Sequence, residues 1–309
     1  MAMPLDAEIA RVVDQLGEAP YLDLAAMPLA EAMIIARAPV PAYPPASPEL
    51  TIREVQLEVE GGRIELRCYT PPAEGLLPIV VHLHGGGWVT GSLPSEDARC
   101  QFMALRSGCV VVSVGYRLSP ETRFPLPVQD SIAAWDWACA NAGSIGGDAK
   151  RMAVSGSSAG GQLAVAILLT LRRDGRPMAQ FQLLTYPAID PLLSQPSYAE
   201  FADGPFMTRA RMAWYWDQYL AGADRHDLML GSLTADLSGL PPALVQVAEM
   251  DVLRDEGVLY AERLRALGVE AEVSLHKGMI HGFIAIAPNH PQSTVALEEA
   301  CTALRRHLL

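Results

Sequence analysis

Several common classes are excluded by what this chain has too little of. Its five cysteines (Cys68, Cys100, Cys109, Cys139 and Cys301) are an odd set without a C-x-x-C pair, which argues against a zinc knuckle, a thioredoxin-type dithiol and a disulfide scaffold. Basic residues are scarce: 23 Lys and Arg against 35 Asp and Glu leave a formal charge of −12, so neither nucleic acid nor an anionic membrane is an expected partner. Long hydrophobic runs are missing, and the longest, Leu163 to Leu171, is about half of what spans a bilayer. Asp6 and Glu8 stand where a secretory leader would be basic and then apolar. Leu5, Ile9, Val12, Val13 and Leu16 recur instead at the spacing of a short amphipathic helix. A soluble, cytoplasmic protein with reduced thiols is expected. What is present is globular: 309 residues, 50% hydrophobic, enough for one large domain or a domain with a smaller lobe.

Three textures follow along the chain. Residues 1–50 begin as helix and then hold Pro39, Pro41, Pro44, Pro45 and Pro48, so that stretch is expected to run extended. From residue 51, IREVQLEV and RIELRCY alternate around Gly61-Gly62, which predicts an antiparallel hairpin at a sheet edge. Apolar runs at Pro78–Leu83, Cys109–Val114, Arg151–Ser155, Phe181–Tyr186, Ala243–Ala248 and Ala271–His276 then alternate with helix-period stretches at 126–140, 159–173, 255–268 and 293–308. That alternation predicts an α/β fold around a mostly parallel sheet. Residues 188–228 interrupt it and hold seven of the twenty aromatics: Tyr198, Phe201, Phe206, Trp214, Tyr215, Trp216 and Tyr219. The segment reads either as a helical insertion with its own small core or as a lid roofing an apolar pocket.

The sharpest local signal is Gly156-Ser157-Ser158-Ala159-Gly160, between an apolar strand and an apolar-faced helix. At a strand-to-helix corner the serine is forced into a strained conformation, and side chains two before or two after would collide with it. That frame selects Ser158 as nucleophile rather than Ser155 or Ser157. A second signal, HLHGGGWVTG at 82–91, follows a predicted strand. Consecutive glycines let backbone N–H groups converge on one point, as an oxyanion hole requires. A dinucleotide loop fits less well, because Thr90 stands where the third glycine of G-x-G-x-x-G would be. His281, beyond the strand 271–276, is the candidate base. Asp251, just beyond the strand 243–248, is the candidate orienting acid. Asp255 and Glu256 are rivals that read more simply as the acidic first turn of a helix. The order Ser158, Asp251, His281 is that of an α/β-hydrolase.

With HGGGW at 84–88, YRLSPE at 116–121, GSSAGG at 156–161, LSGLPPALV at 237–245, DVLRDEG at 251–257 and HGF at 281–283, the sequence resembles the bacterial hormone-sensitive-lipase-like carboxylesterases of the α/β-hydrolase superfamily. The resemblance implies a sheet of about eight strands with helices on both faces. It implies a catalytic domain of residues 51–187 and 229–309, capped by segments 1–50 and 188–228. It also implies an oxyanion hole from the N–H groups of Gly86, Gly87 and Ala159, with Gly85 as the alternative donor. His84, Gly156, Gly160 and Gly161 support the motifs, and Trp88, Tyr186, Phe206 and Trp214 are candidate pocket residues. Many relatives carry an acid at the position of Ser157, so the local hydrogen bonding is expected to differ here. YRLSPE is expected to be a structural turn held by Arg117 and Glu121.

The expected reaction is hydrolysis of short-chain acyl esters through an acyl-Ser158 intermediate, with no cofactor and no metal. An amide or carbamate hydrolase would use the same residues. A non-catalytic receptor on this scaffold, like the plant gibberellin receptors, would lack the histidine that stands here at 281. The expected partner is a small-molecule ester, and edge-strand homodimers are common in the family.

Overall fold

The computed structural model describes residues 5–19, 22–37, 42–230 and 233–309; Pro39 and Pro41 of the proline-rich stretch lie outside them. Eight strands form a single sheet: β1 (Thr51–Val59), β2 (Gly62–Thr70), β3 (Leu77–Leu83), β4 (Val110–Gly115), β5 (Gly147–Ser157), β6 (Phe181–Thr185), β7 (Ala243–Met250) and β8 (Ala271–Ile280). Their spatial order is β1-β2-β4-β3-β5-β6-β7-β8. β1 pairs with β2, and β2 with β4, antiparallel; the remaining neighbours are parallel. The predicted hairpin is therefore the sheet's outer edge. In β1 exposed and half-buried residues mix, because one face meets water; the continuous Val and Ile runs of β3 and β4 are buried on both faces.

Ten helices accompany the sheet among the described residues: α1 (Ala7–Leu16), α2 (Leu29–Ala36), α3 (Leu93–Ser107), α4 (Leu126–Ala140), α5 (Ala159–Arg173), α6 (Ser197–Glu200), α7 (Arg209–Leu220), α8 (Arg254–Ala266), α9 (Phe283–Ile286) and α10 (Pro291–Leu308). α3 and α10 cover one face, where Cys100, Met103, Cys301 and Leu304 pack on Val80, Val111 and Phe181. α4, α5 and α8 cover the other, around Val128, Leu163, Ile167, Tyr260 and Leu264. α5 is buried from Ala159 through Leu171, the pattern of a helix enclosed on all sides. α1 forms over the predicted residues, capped by Asp6, whose carboxylate accepts from the Glu8 N–H at 2.8 Å. It lies against the end of β8, with the Asp6 N–H on the Gly278 carbonyl.

Strand boundaries extend beyond the sequence expectation where glycine and polar residues continue a ladder. β5 begins at Gly147 and runs to Ser157, and β8 runs to Ile280. The register fixes the functional edge, since Leu83 of β3 lies opposite Gly156 of β5, and Ser157 opposite Thr185 of β6. The glycine loop after β3 and the serine corner after β5 thus leave the sheet side by side. The YRLSPE turn is held through Arg117 and Glu121, as expected, each by a partner outside the turn. Arg117 grips Asp130 of α4, and Arg37 beyond α2 reaches Glu121 and the carbonyls of Val89 and Ser119.

Candidate active site

β5 ends in a corner at Ser158, whose φ of 51° and ψ of −118° lie where only a forced turn puts a residue with a side chain. The flanking glycines make the corner feasible. A Cβ on Gly156 would sit 2.1 Å from the Gly160 carbonyl, and one on Gly160 would sit 2.1 Å from the carbonyl of Leu83. A Cβ on Gly161 would fall 2.6 Å from that of Pro187. The chain therefore closes against the neighbouring strand, and the Ser158 hydroxyl stands above the sheet at the N-terminus of α5.

The structure brings the three residues singled out in the sequence to one point. His281, immediately after β8, has Nε2 at 3.0 Å from Ser158 Oγ and Nδ1 at 2.8 Å from Asp251 Oδ2. All three are buried, with exposures of 6% for Ser158, 4% for His281 and 1% for Asp251. The second Asp251 oxygen accepts from the Leu253 N–H at 2.9 Å, which fixes the carboxylate. Asp255 and Glu256 lie in the first turn of α8, as the sequence predicts, and each also makes a hydrogen bond to a distant segment. Asp255 accepts from the Ser197 N–H, and buried Glu256 accepts from the Ile189 N–H at 2.7 Å, so both tie the 188–228 segment to α8. Burial and the Asp190 charge push the Glu256 carboxyl well above the usual carboxylate range.

Gly86 and Gly87 both adopt positive φ, at 113° and 59°. Among the described residues their N–H groups, like that of Ala159, donate to no other backbone group in the turns and loops. All three glycines of the loop line a cavity of about 500 Å³ together with Ser157, Ser158 and His281. His84 donates from Nδ1 to the Gly85 carbonyl at 2.7 Å and stacks on Tyr116 at 4.1 Å, which anchors the loop from behind. Burial lowers the His84 imidazole to about 4, against a carbonyl contact that favours its protonated form.

Of the four candidate pocket residues, Tyr186 and Phe206 line the cavity; Trp88 and Trp214 do not. Trp88 is fully buried beneath α7, stacked on Tyr219 at 4.5 Å with its N–H on Gln162 at 2.8 Å. Trp214 is buried and meets Tyr215 edge-on at 5.3 Å. Tyr215 instead closes the cavity, with Met207 and Arg211 beside it, and Ile35, Ala36, Ala285 and Ile286 complete an apolar wall from α2 and α9. These residues carry no motif, and helical periodicity alone does not say which face of an aromatic-rich helix looks inward. A second cleft, of about 540 Å³ and including His84 and Tyr116, shares Gly91 with this cavity and reaches neither Ser158 nor His281.

The departure at Ser157 has a structural consequence. Arg99 donates to the Ser157 hydroxyl and, at 2.8 Å, to that of Thr185, while Glu96 lies 3.7 Å from the same guanidinium. Burial raises the Glu96 carboxyl, but the His82 hydrogen bond and the Arg99 charge outweigh it and hold the group below its ordinary value. Glu96 of α3 thus places a negative charge beside the guanidinium that holds Ser157.

A serine, a histidine and a carboxylate in this geometry, beside a glycine loop, are consistent with a nucleophilic hydrolase site. The family model that describes the α/β-hydrolase fold matches residues 80–285. The chain belongs to that family, among its hormone-sensitive-lipase-like carboxylesterases. It is similar to the carboxylesterase NlhH of Mycobacterium tuberculosis (strain CDC 1551 / Oshkosh), 42% identical over 277 residues, 86% of this chain and 85% of that one. It is also similar to an arylesterase of Saccharolobus solfataricus, 32% identical over 96% of this chain and 97% of the other. Among solved structures, a thermostable esterase from Pseudomonas putida ECU1011 superposes with a TM-score of 0.88 at 33% identity, covering 100% of this chain and 99% of that one. No described helix is long and apolar enough to cross a membrane.

Proposed function

We propose that the chain is a carboxylesterase that hydrolyses esters of short acyl chains through an acyl-Ser158 intermediate. The observation that carries this reading is the imidazole of His281 bridging Ser158 Oγ and Asp251 within hydrogen-bond distance at the wall of the cavity. Neutral His281 accepts the Ser158 proton at Nε2 as Oγ attacks the ester carbonyl. Asp251 accepts from Nδ1–H, holding the tautomer and stabilising the imidazolium that forms. The N–H groups of Gly86, Gly87 and Ala159 bind the developing oxyanion. His281 then returns its proton to the departing alcohol, and water repeats the steps in reverse to free the acid and Ser158.

The short-chain preference rests on the family resemblance, which implies a closed acyl pocket; the cavity of about 500 Å³ is within the ordinary range of ligand pockets, about 300–1,000 Å³. In this reading α1, α2, α6 and α7 act as a cap over the hydrolase domain. A cytoplasmic setting fits the five free thiols, four of them buried. A homodimer across an outer strand of the sheet belongs to the same proposal.

The test is a panel of 4-nitrophenyl esters from acetate to palmitate, run with the wild type and Ser158→Ala. Turnover is expected to peak at or below hexanoate. It should fall about 10⁵- to 10⁶-fold in the variant, the scale seen when a catalytic serine is removed. Activity surviving in Ser158→Ala would send the nucleophile elsewhere, and preference for emulsified palmitate would overturn the short-chain assignment.

A further inference from the structure

Arg211 stands in the cavity wall without a counter-ion. The side chain is 9% exposed, and its Nε is shielded from solvent with no hydrogen-bond partner. Among the described residues the guanidinium forms no ion pair. The positions outside them (1–4, 20–21, 38–41 and 231–232) hold no Asp or Glu that could provide one. The carboxylates near the cavity are already engaged, Glu96 by His82 and Arg99 and Asp251 by His281. Arg211 also sits in the first turn of α7, where the helix dipole disfavours a cation, and its own N–H is taken by the Thr208 cap at 3.0 Å. Burial, lack of a partner and the wrong helix end each cost stability, so nothing in the fold accounts for the charge.

The same face of α7 touches the catalytic loop. Tyr215, four residues further on and therefore in line with Arg211, lies so close to Gly87 that a Cβ there would fall 2.4 Å from its ring. Arg211 lines the same cavity as the loop glycines and Ser158, so its guanidinium borders the space that an ester bound at that loop would occupy. Its planar fork suits a carboxylate, which it can hold by two parallel hydrogen bonds.

We propose that this cavity selects esters carrying a second, ionised carboxylate, which Arg211 binds while Ser158 attacks the ester. The inference rests on the esterase reading above and adds the substrate class to it. The carboxylate can belong to the acyl part, as in a dicarboxylic acid monoester, or to the alcohol part, as in an acylated hydroxy acid; the chemistry recognised is the same.

Two matched pairs separate these sources: monoethyl glutarate against ethyl pentanoate, and 2-acetoxypropanoate against sec-butyl acetate. For at least one pair, the ratio of kcat/KM (anionic over neutral) is expected to fall about ten- to a hundredfold in Arg211→Met, the range for a hydrogen bond to a charged group. Arg211→Lys, which keeps the charge and loses the fork, should recover part of that ratio. Ratios unchanged within threefold in both pairs and both variants would overturn the proposal. Calorimetric titration of Ser158→Ala with the same two anions keeps the carboxylate site testable if the wild type turns over none of the four esters, an outcome that would sink the esterase reading instead. Binding that vanishes when Arg211→Met is added sustains the site, and equal binding with or without Arg211 refutes it.

Discussion

Replacing Gly160 by alanine probes how tightly the nucleophile corner is locked against the oxyanion loop. The new methyl carbon would start 2.1 Å from the Leu83 carbonyl oxygen and 2.6 Å from that of His84, both backbone atoms that cannot rotate aside. Real Cβ contacts essentially never fall under 3.0 Å, so the corner and the end of β3 must part by about 1 Å. That separation runs between Ala159 on one side and Gly86 and Gly87 on the other, the groups proposed above to converge on one oxygen. A misplacement of about 1 Å in a catalytic constellation costs on the order of a hundredfold, and overpacking costs about 1–3 kcal/mol of stability. Hydrolysis of 4-nitrophenyl butyrate should therefore lose about a hundredfold in kcat, with a smaller change in KM and a lower urea midpoint. Gly143→Ala, where nothing lies within 4 Å of the added carbon, is the matched control and should keep kcat within about twofold. A Gly160→Ala enzyme with kcat within threefold of wild type would refute the claim that the clearance between corner and loop sets the oxyanion geometry.

Two further outcomes follow from burial. The His84 imidazole is held at about 4 when folded and returns to about 6.5 when unfolded, so the unfolded chain takes up the proton first as pH falls. Stability should drop from about pH 6.5 and level off below about pH 4; between pH 7 and 4.5 the loss from this residue is about 2–3 kcal/mol. Urea titrations should show a shallower pH dependence in His84→Asn, and identical slopes would remove His84 as the cause. Burial also raises the thiols of Cys68 and Cys301 to about 12 and shifts Cys100, Cys109 and Cys139 upward. An aromatic disulfide reagent at pH 8 should thus titrate at most Cys139 quickly in the native protein and all five thiols in guanidinium. Rapid reaction of two or more native thiols would contradict the burial.

The parts of the site that were legible in the sequence are those fixed by short-range sterics. A strand, then Gly-x-Ser-x-Gly, then a helix leaves few backbone solutions, and the observed φ of 51° at Ser158 is one of them. The strand–helix alternation predicted the fold class, because strands buried on both faces need helices on each side. Chain order and the carboxyl ends of β7 and β8 were enough to nominate Asp251 and His281. Nominating Trp88 and Trp214 for the pocket failed for a reason of the same kind. Seven aromatics in one segment announce a packed surface, but each residue along α7 turns by about 100°, so of the neighbours 214 and 215 only Tyr215 reaches the cavity.

The sequence by itself determined the hydrolase architecture, the strained serine and the residues able to serve it, since each depends on local backbone geometry or on a pattern repeated along one element. Tertiary structure alone decided that Arg99 answers Ser157, that Arg37 holds the loop beyond Trp88, and that Tyr215 and Arg211 look into the cavity. Those contacts join elements far apart in the chain, and no spacing rule reaches across such distances; they exist because packing the helices and the 188–228 segment around the sheet leaves each side chain one place to go.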